Sequence, residues 1–291
     1  MASLDDLRKR IVSVKSTQKI TKAMKMVAAA KLRKAQESAE QGRPYSEKMQ
    51  NIILNLTSSI SDPANAPKLL VGTGKEQVNL CIVMTSDRGL CGGFNSNICR
   101  LAKNYFLKIL KDGKELKIIT VGSKGHDQLK RQYGKYIINK LSFKDKKKIS
   151  FSEADEVGKI IIDLFNKNEF DKCILFYSNF KNVITQIPQA QQIIPTEKIE
   201  SNNTDEEFFY EFEPDEDEIL EDLLPKNIST QVFKAFLENS ASEQGSRMTA
   251  MDNATRNAGD LVDKLTINYN RSRQASITKE LIEIISGAES L

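Results

Sequence analysis

The chain has 291 residues, of which 40% are hydrophobic and 28% are charged, and its formal net charge is +4. This composition predicts a folded, water-soluble protein with one large core or two smaller ones. It contains no apolar stretch of the roughly 18 residues that a membrane span needs, and Asp5 and Asp6 argue against a signal peptide. A Ser-rich, acid-poor presequence is also missing, so we expect a bacterial-type chain or an already mature one.

Charge is distributed unevenly along the chain. Residues 1–43 carry eleven Lys or Arg and four Asp or Glu, whereas residues 199–225 carry twelve Asp or Glu and no Lys or Arg. Such opposed blocks indicate either contacts with different partners or solvated faces, and charge alone favours solvated faces.

The first predicted element is a helix over about residues 3–57. One stripe of residues, spaced alternately three and four apart, is typical of a coiled-coil seam. The stripe is apolar at its ends and polar in its middle: Leu4, Leu7, Ile11, Val14, Gln18, Thr21, Lys25, Ala28, Leu32, Ala35 and Ala39. We therefore expect weaker pairing in the middle. Pro44 is expected to bend this helix or to end its first part, and residues 61–67 indicate a linker.

The middle of the chain, about residues 68–200, has a different period. Short β-rich runs alternate there with helical segments: strands at 78–85, 116–122 and 172–180, and helices near 95–111 and 153–167. This alternation predicts a parallel sheet with crossover helices. A further strand over residues 183–195 contains Pro188, which suits the edge of a sheet.

Helical periodicity returns from about residue 228 to residue 287, and Asn227 or Ser229 can cap its start. About 60 residues at a rise of 1.5 Å extend on the order of 90 Å. The apolar positions that are available for pairing include Leu261, Val262, Leu265, Ile277, Leu281 and Ile284. This second long helix is expected to pair with the first in an antiparallel manner.

These elements predict an α/β fold. A long antiparallel coiled coil of the N- and C-terminal helices joins a central Rossmann-like α/β domain with a mostly parallel sheet. The expected domains are an N-terminal coiled-coil helix, a central α/β domain, an acidic surface extension and a C-terminal coiled-coil helix, at residues 1–60, 68–200, 201–226 and 227–291.

Patterns for nucleotide binding are not met. In residues 71–76, Gly74 and Lys75 are followed by Glu76 where a phosphate-binding loop has Ser or Thr. Residues 89–95, GLCGGFN, do not have the glycine spacing of a dinucleotide fingerprint and favour a tight strand-to-helix turn. We therefore expect no bound cofactor.

Metal binding and nucleophilic catalysis also lack a pattern. None of the four cysteines forms a C-x-x-C pair, and His126 is the only histidine, which argues against a zinc cluster and against a catalytic triad. We expect buried reduced thiols, an exposed loop histidine, no metal and no catalytic residue.

Two other functional classes are considered. One is a basic coiled coil that binds nucleic acid or acts as a scaffold, and the other is a Rossmann-type oxidoreductase.

Three segments resemble one known family. Residues 13–36, SVKSTQKITKAMKMVAAAKLRKAQ, closely resemble the N-terminal helix of the γ subunits of F-type ATP synthases. Residues 242–288 resemble the C-terminal helix of that family, and residues 85–95, TSDRGLCGGFN, resemble the turn after the first strand of its central domain. The resemblance runs from end to end, and beyond residue 100 the middle of the chain matches mainly by pattern.

The resemblance implies a non-catalytic rotor shaft. The shaft turns inside a hexamer of three α and three β subunits and couples ion flow through the membrane c-ring to ATP synthesis or hydrolysis. The implied partners are the α and β subunits, the ε subunit and the c-ring, with no nucleic acid and only an indirect membrane association. The implied location is the cytoplasmic face of the bacterial plasma membrane, or the matrix side for a mature organellar chain.

The resemblance also implies contacts with the hexamer, at Met24, Lys25, Glu243, Arg247, Arg273, Gln274 and Thr278. Met24 matches the position where the shaft meets a lever-like loop of β, and Lys25 replaces a glutamate that is common in some relatives. Glu243 and Arg247 match the same coupling region, whereas the last three match residues that meet a catch loop. The alternative is that Met24 and Thr278 fill the seam and that Arg247 is a solvated charge.

Residues 210–215, YEFEPD, resemble the Y-x-Y-E-P-D foot of the family, which rests on the ε subunit and the membrane ring. Tyr210 and Glu213 match this motif, and Phe212 replaces a tyrosine. We expect these three residues to contact the ring and the ε subunit. The plant-type redox insertion with its closely spaced cysteine pair is not present in the sequence, so thiol control of rotation is not expected.

Overall fold

The computed structural model describes residues 3–59, 67–146, 150–196 and 216–289. Its contacts divide the chain into two compact units. The coil unit contains the first 29 residues and those from Arg247 onward, and the sheet unit contains Ala30–Ser246. Among the described residues, none of the helices combines the length and apolarity that a bilayer crossing requires.

The long N-terminal helix, α1, spans Leu4–Ser59 and continues through Pro44, so the proline does not end it. In the sheet unit this part of α1 packs closely against the long C-terminal helix, α6, which spans Glu216–Glu289. A Cβ atom added at Gly42 would lie 2.9 Å from Cδ1 of Leu237, so the two helices approach closely at this glycine.

Helix α6 begins well before the predicted start near residue 228, inside the segment 201–226 that was expected to be a surface extension. The physical reason is an apolar cluster in which Leu220 and Leu224 of α6 pack with three other buried residues, Met49, Ile53 and Leu70. Burial of this kind offsets the helix-breaking cost of Pro225, which is about 3 kcal/mol.

The sheet has five strands in the order β3-β2-β1-β4-β5. The strands are β1 (Val78–Met84), β2 (Glu115–Val121), β3 (Ile137–Leu141), β4 (Lys172–Phe180) and β5 (Gln186–Ile194). Neighbouring strands are parallel except for β5, which pairs antiparallel with β4 at one edge. The predicted mostly parallel sheet is therefore confirmed, and Pro188 lies in the edge strand as expected.

Four shorter helices complete the sheet unit: α2 (Lys68–Val71), α3 (Phe94–Lys111), α4 (Ser123–Tyr133) and α5 (Phe151–Asn166). Side chains of α3 and α4 form one hydrophobic core with one set of strand residues, including Cys81, Val83 and Phe176. Side chains of α5 and α6 form the other core with the alternate strand residues, including Leu80, Ile82 and Leu175. The sheet is thus covered on both faces, as the alternation of strands and helices predicts.

The glycine-containing turn that follows β1 is built by hydrogen bonds around Asp87. Its carboxylate accepts from Ser123 N at 2.8 Å, Ser142 Oγ at 2.7 Å and Phe143 N at 3.1 Å. This single side chain joins the carboxyl ends of β1, β2 and β3. Gly122 has a φ of +97°, and a Cβ atom there would collide with the carbonyl oxygen of Thr85. In the turn itself Gly92 has a φ of +56°, which favours glycine, so the GLCGGFN motif has a structural explanation.

The four cysteines are free and buried, as predicted. Burial raises the pKa of the Cys99 thiol to about 11. The expectation of an exposed loop histidine is wrong, because His126 lies in α4, is half-buried and places Nδ1 3.4 Å from Thr120 Oγ1.

The start of α5 carries a carboxylate that links helix stability to pH. The backbone N–H of Ser150 donates to Glu153 Oε2 at 2.8 Å, its hydroxyl bonds to the same oxygen, and Lys146 Nζ lies 3.2 Å from Oε1. These contacts, led by the Ser150 hydroxyl, lower the pKa of Glu153 to about 2. A carboxyl whose pKa is depressed on folding stabilises the native state above its ordinary pKa and loses this effect as pH falls.

We predict that Glu153→Gln reduces the loss of stability between about pH 4.5 and pH 2, since the substituted side chain cannot be protonated. The measurement is the midpoint of urea unfolding at several pH values across this range, monitored by far-UV circular dichroism. Glu156→Gln, at an exposed position of the same helix, is the matched control and should leave the pH dependence unchanged. An unchanged pH dependence in Glu153→Gln would contradict the assignment.

Candidate partner-binding surface

In the coil unit, α1 and α6 pair in opposite directions. Three successive pairs face each other: Gln18 with Gly259, Thr21 with Thr255, and Lys25 with Asp252. Numbers that rise along α1 fall along α6, so the predicted antiparallel coiled coil is confirmed. All three pairs lie where the sequence shows a polar interruption of the seam.

Hydrogen bonds fill this polar interruption. The Thr255 hydroxyl lies 2.8 Å from Thr21 Oγ1, and the Thr21 hydroxyl donates to the carbonyl oxygen of Gln18 at 3.1 Å. Thr21 is only 9% exposed. A Cβ atom at Gly259 would lie 3.0 Å from Gln18 Nε2, so the glycine provides the space for the amide. The polar residues therefore contact each other across the seam, and the weaker pairing expected here stays a prediction.

Lys25, a predicted contact residue, forms an ion pair within the coil. Its Nζ atom lies 2.5 Å from Asp252 Oδ1, and Arg256 bonds to the second oxygen of the same carboxylate. Lys25 first and Arg256 second lower the pKa of Asp252. Met24, the neighbouring predicted contact, is half-buried on α1. Any partner group that approaches Lys25 thus meets an ammonium that already has a carboxylate partner.

The end of α6 extends past the start of α1. Since paired positions add to about 277, Leu4 at the start of α1 lies opposite residue 273. Residues 274–288, which we name the tip, therefore have no facing segment of α1 among the described residues. Large apolar side chains of the tip are 50 to 68% exposed: Ile277, Leu281, Ile282, Ile284 and Ile285. Ile277, Leu281 and Ile284 were expected to pair with the first helix and do not.

Three predicted contact residues lie at or beside the tip. Arg273, Gln274 and Thr278 are all exposed, and the Thr278 hydroxyl donates to the carbonyl oxygen of Gln274 at 3.0 Å. Thr278 therefore does not fill a seam. This region combines a cation, an amide and a hydroxyl with exposed apolar side chains, which is a combination typical of protein-binding surfaces.

The remaining predicted contacts lie elsewhere. Glu243 and Arg247 are half-buried and one turn apart on α6, with Glu243 in the sheet unit and Arg247 in the coil unit. The 26 residues between Arg247 and Arg273 correspond to roughly 39 Å of helix, so the structure does not bring these two arginines together. Tyr210, Phe212 and Glu213 lie outside the described residues.

The two helices of the coil unit differ in charge. Within the coil unit, six cations of α1 are exposed, Arg8, Lys9, Arg10, Lys15, Lys19 and Lys22, against two acids, Asp5 and Asp6. From Arg247 to Glu289, α6 carries six Lys or Arg and six Asp or Glu. The apolar side chains Val12, Ile20, Met26 and Val27 of α1 are more than half exposed. The coil therefore presents a cationic and partly apolar side and an electrically balanced side.

The described part of the chain shows no group of three or more His, Cys, Asp or Glu side chains that is placed to hold a metal ion. Two open grooves on the sheet unit have volumes of about 440 and 510 Å³. The arrangement in the coil unit supports binding of protein surfaces, through exposed apolar groups and charges on two helices.

Sequence reasoning missed the partners in the polar layer, namely Asp252, Thr255 and Gly259. A signal for them was present, because reading the two helices in opposite directions places each opposite a polar seam residue of α1. Identifying these partners from the sequence requires the register in which α1 and α6 pair. Many registers satisfy the apolar positions of the two helices equally well.

We predict that Asp252→Lys weakens the coil, because it places a third cation beside Lys25 and Arg256. Amide hydrogen exchange around Thr21 and Met251 should accelerate roughly two- to fivefold, as expected for loss of an exposed ion pair. The double variant Lys25→Asp/Asp252→Lys should recover most of the protection. If the double variant exchanges as fast as the single variant, the ion pair does not stabilise the coil.

Comparison with known proteins gives consistent results. Residues 3–291 match the family model described as ATP synthase. The chain is 74% identical to the ATP synthase gamma chain of Pelagibacter ubique and 56% identical to that of Rhizobium etli, over the whole of each protein. Its structure is similar to the central stalk and c-ring structure of the Tetrahymena thermophila mitochondrial ATP synthase, with a TM-score of 0.60 and 28% identity over 81% of this chain and 99% of that chain. A Euglena gracilis mitochondrial ATP synthase structure shares the fold with a TM-score of 0.68 and 20% identity, over 99% of this chain and 94% of that chain.

Proposed function

Because the chain belongs to the ATP synthase gamma chain family, we propose that it is the central rotor shaft of an F-type ATP synthase. The shaft rotates within a hexamer of α and β subunits and couples ion flow through the membrane ring to ATP synthesis or hydrolysis. The observation that supports this proposal most directly is the antiparallel coil of α1 and α6 that ends in a single exposed helix.

A shaft changes the conformations of surrounding subunits only if it binds those conformations unequally. The coil unit meets this requirement, since α1 presents exposed cations and apolar groups whereas α6 has balanced charge. Three identical subunits around such a coil face three different surfaces. Rotation then changes which of them meets the cationic side.

The proposed hexamer contacts form two groups along the coil unit. Met24, Lys25 and Arg247 form the group far from the tip, with Glu243 one turn before Arg247 on α6. Arg273, Gln274 and Thr278 form the group at the tip, where all three are exposed and available to hydrogen-bond a loop of the hexamer. Lys25 acts through its ion pair with Asp252, so it positions the coil as well as contacting a partner.

We further propose that a foot formed by Tyr210, Phe212 and Glu213 contacts the ε subunit and the c-ring. This proposal is supported by the motif at residues 210–215. Membrane association is then indirect, through the ring. In a bacterium the complex lies on the cytoplasmic face of the plasma membrane, and in a mitochondrion on the matrix side.

The chain itself is proposed to be non-catalytic, and it is proposed to bind neither a cofactor nor nucleic acid. The glycine motif after β1 has a structural explanation, because the hydrogen bonds of Asp87 and the positive φ of Gly92 build a turn there. The catalytic sites then belong to the α and β subunits that surround the shaft.

The decisive experiment is ATP hydrolysis by purified, matched α and β subunits with and without this chain. We expect no hydrolysis by the chain alone, and assembly of a hexamer with steady ATPase activity when it is added. If the chain neither binds nor activates competent subunits, the proposed function is wrong, and salt-dependent binding to nucleic acid becomes the alternative to test.

Within that assay we predict that Arg273→Ala/Gln274→Ala lowers the ATPase rate roughly tenfold, the order expected for loss of charge-assisted hydrogen bonds to a partner. Lys181→Ala, at an exposed position between β4 and β5 of the sheet unit, is the control and should retain the full rate. Equal rates for the double variant and the unmodified chain would exclude a coupling role for these two residues.

A further inference from the structure

A groove of about 510 Å³ runs between α3 and α4 on the surface of the sheet unit. It is lined by Arg100, Lys103, Asn104 and Leu107 of α3 and by Gln128 and Gln132 of α4, among others. These are mostly long polar side chains with spare hydrogen-bonding capacity. None of the residues that line this groove belongs to the proposed rotor contacts.

The charge of α3 is one-sided. In its 18 residues, Phe94–Lys111, it carries four cations, Arg100, Lys103, Lys108 and Lys111, and no Asp or Glu. None of these four has a carboxylate within ion-pair distance in the described part of the chain. Opposed charges are the usual arrangement on solvated helices, so a helix with uncompensated cations is suited to an anionic partner.

Other cations of the same sheet unit are paired with carboxylates. Lys114 lies 3.1 Å from Glu76, and Lys117 lies 2.9 Å from Glu169. On α4, Lys124 and Lys130 both lie near Asp127. Among the described helices longer than four residues, α3 is the one whose own sequence contains no Asp or Glu.

The groove also contains a large apolar side chain beside its cations. Leu107 is 50% exposed although it is a large hydrophobic residue. Lys103, one helical turn before Leu107 on α3, lines the same groove. Protein–protein interfaces commonly have an apolar centre surrounded by a polar or charged rim, and an exposed leucine flanked by cations has this arrangement on a small scale.

We propose that the α3–α4 groove is a docking site for an acidic amphipathic helix of a partner protein. A third helix fits a groove between two helices at an interaxial distance of about 8–10 Å. Helix α3 offers about 27 Å of length for this contact. Carboxylates of the docked helix pair with Arg100 and Lys103, a bidentate pair being available to the guanidinium, and one apolar side chain covers Leu107.

The geometry favours a helix over the other anionic partners. A bilayer surface is flat on the scale of this groove and would engage cations on convex surfaces. A nucleic acid duplex requires cations that follow its phosphates, whereas here an exposed leucine and three amides lie among the cations. Carboxylates on successive turns of a helix match the spacing from Arg100 to Lys103 along α3.

The first test uses the full chain and a fluorescent 18-residue peptide, stapled to be helical, with glutamates on one face and a leucine among them. Fluorescence anisotropy at low salt should show saturable binding, weakened by raised salt. The variant Arg100→Glu/Lys103→Glu should bind at least tenfold more weakly. A matched peptide with glutamine in place of each glutamate should also bind at least tenfold more weakly.

The control variant is Lys167→Glu/Lys181→Glu, which changes the net charge equally at exposed positions outside the groove. It should bind the peptide with less than a threefold change. Equal weakening by the two double variants would mean that the peptide reads only net charge, and this would overturn the proposal. Far-UV circular dichroism of each variant verifies that the chain is folded.

The second test identifies the occupant in cells that express the full chain. A photoreactive phenylalanine analogue replaces Asn104, and cross-linked products are identified by mass spectrometry. A cross-link to an acidic helical segment of another protein supports the proposal. Cross-links to lipid or nucleic acid only, or none above the level of the same replacement at Lys181, would overturn it. The proposed docking site does not depend on the rotor function, which the ATPase assay tests separately.

Discussion

The carboxylate of Glu238 holds together the three elements on which the sheet unit depends. It accepts from the backbone N–H of Phe180 at 3.0 Å and from Arg43 Nε at 2.8 Å, while its own side chain is only 4% exposed. A buried carboxylate without such partners costs several kcal/mol. The pairing raises the pKa of Arg43, mainly through the hydrogen bond to Glu238. Helix α1, helix α6 and strand β4 are thereby joined at this one carboxylate, although their residues are far apart in sequence.

Two neighbouring residues of α6 extend this link. Asn239 Oδ1 accepts from Ser178 N at 3.1 Å, and the Ser242 hydroxyl donates to the Ser178 carbonyl at 3.0 Å. Strand β1 no longer pairs with β4 at this point, and Pro188 opposite Ser178 has no N–H to offer. Side chains of a helix thus satisfy strand groups that a longer β1 would otherwise satisfy. The polarity of α6 is therefore required by the fold as well as by any partner.

The elements that were predicted correctly have a strong local signal. Residues 172–180 form β4 as expected, because they are apolar on both faces and bounded by polar residues. Strand β3 was missed since Asn139 and Lys140 interrupt it and it is only partly buried. The early start of α6 depends on contacts of Leu220 and Leu224 with residues about 170 positions away. The exposure of Ile277 and Leu281 depends on where α1 begins. Local periodicity carries neither piece of information.

The tip has a consequence for how the free chain behaves. Its 15 residues continue α6 without a facing helix among the described residues, and in proteins most helical stability comes from tertiary packing. Its glycine, Gly287, lowers its helical propensity further. In the proposed complex, a partner that binds the tip also orders it, and part of the interaction free energy is spent on conformational entropy. Assembly is then coupled to folding at this end, so the affinity of the chain for its partner and the helicity of its last turns rise and fall together.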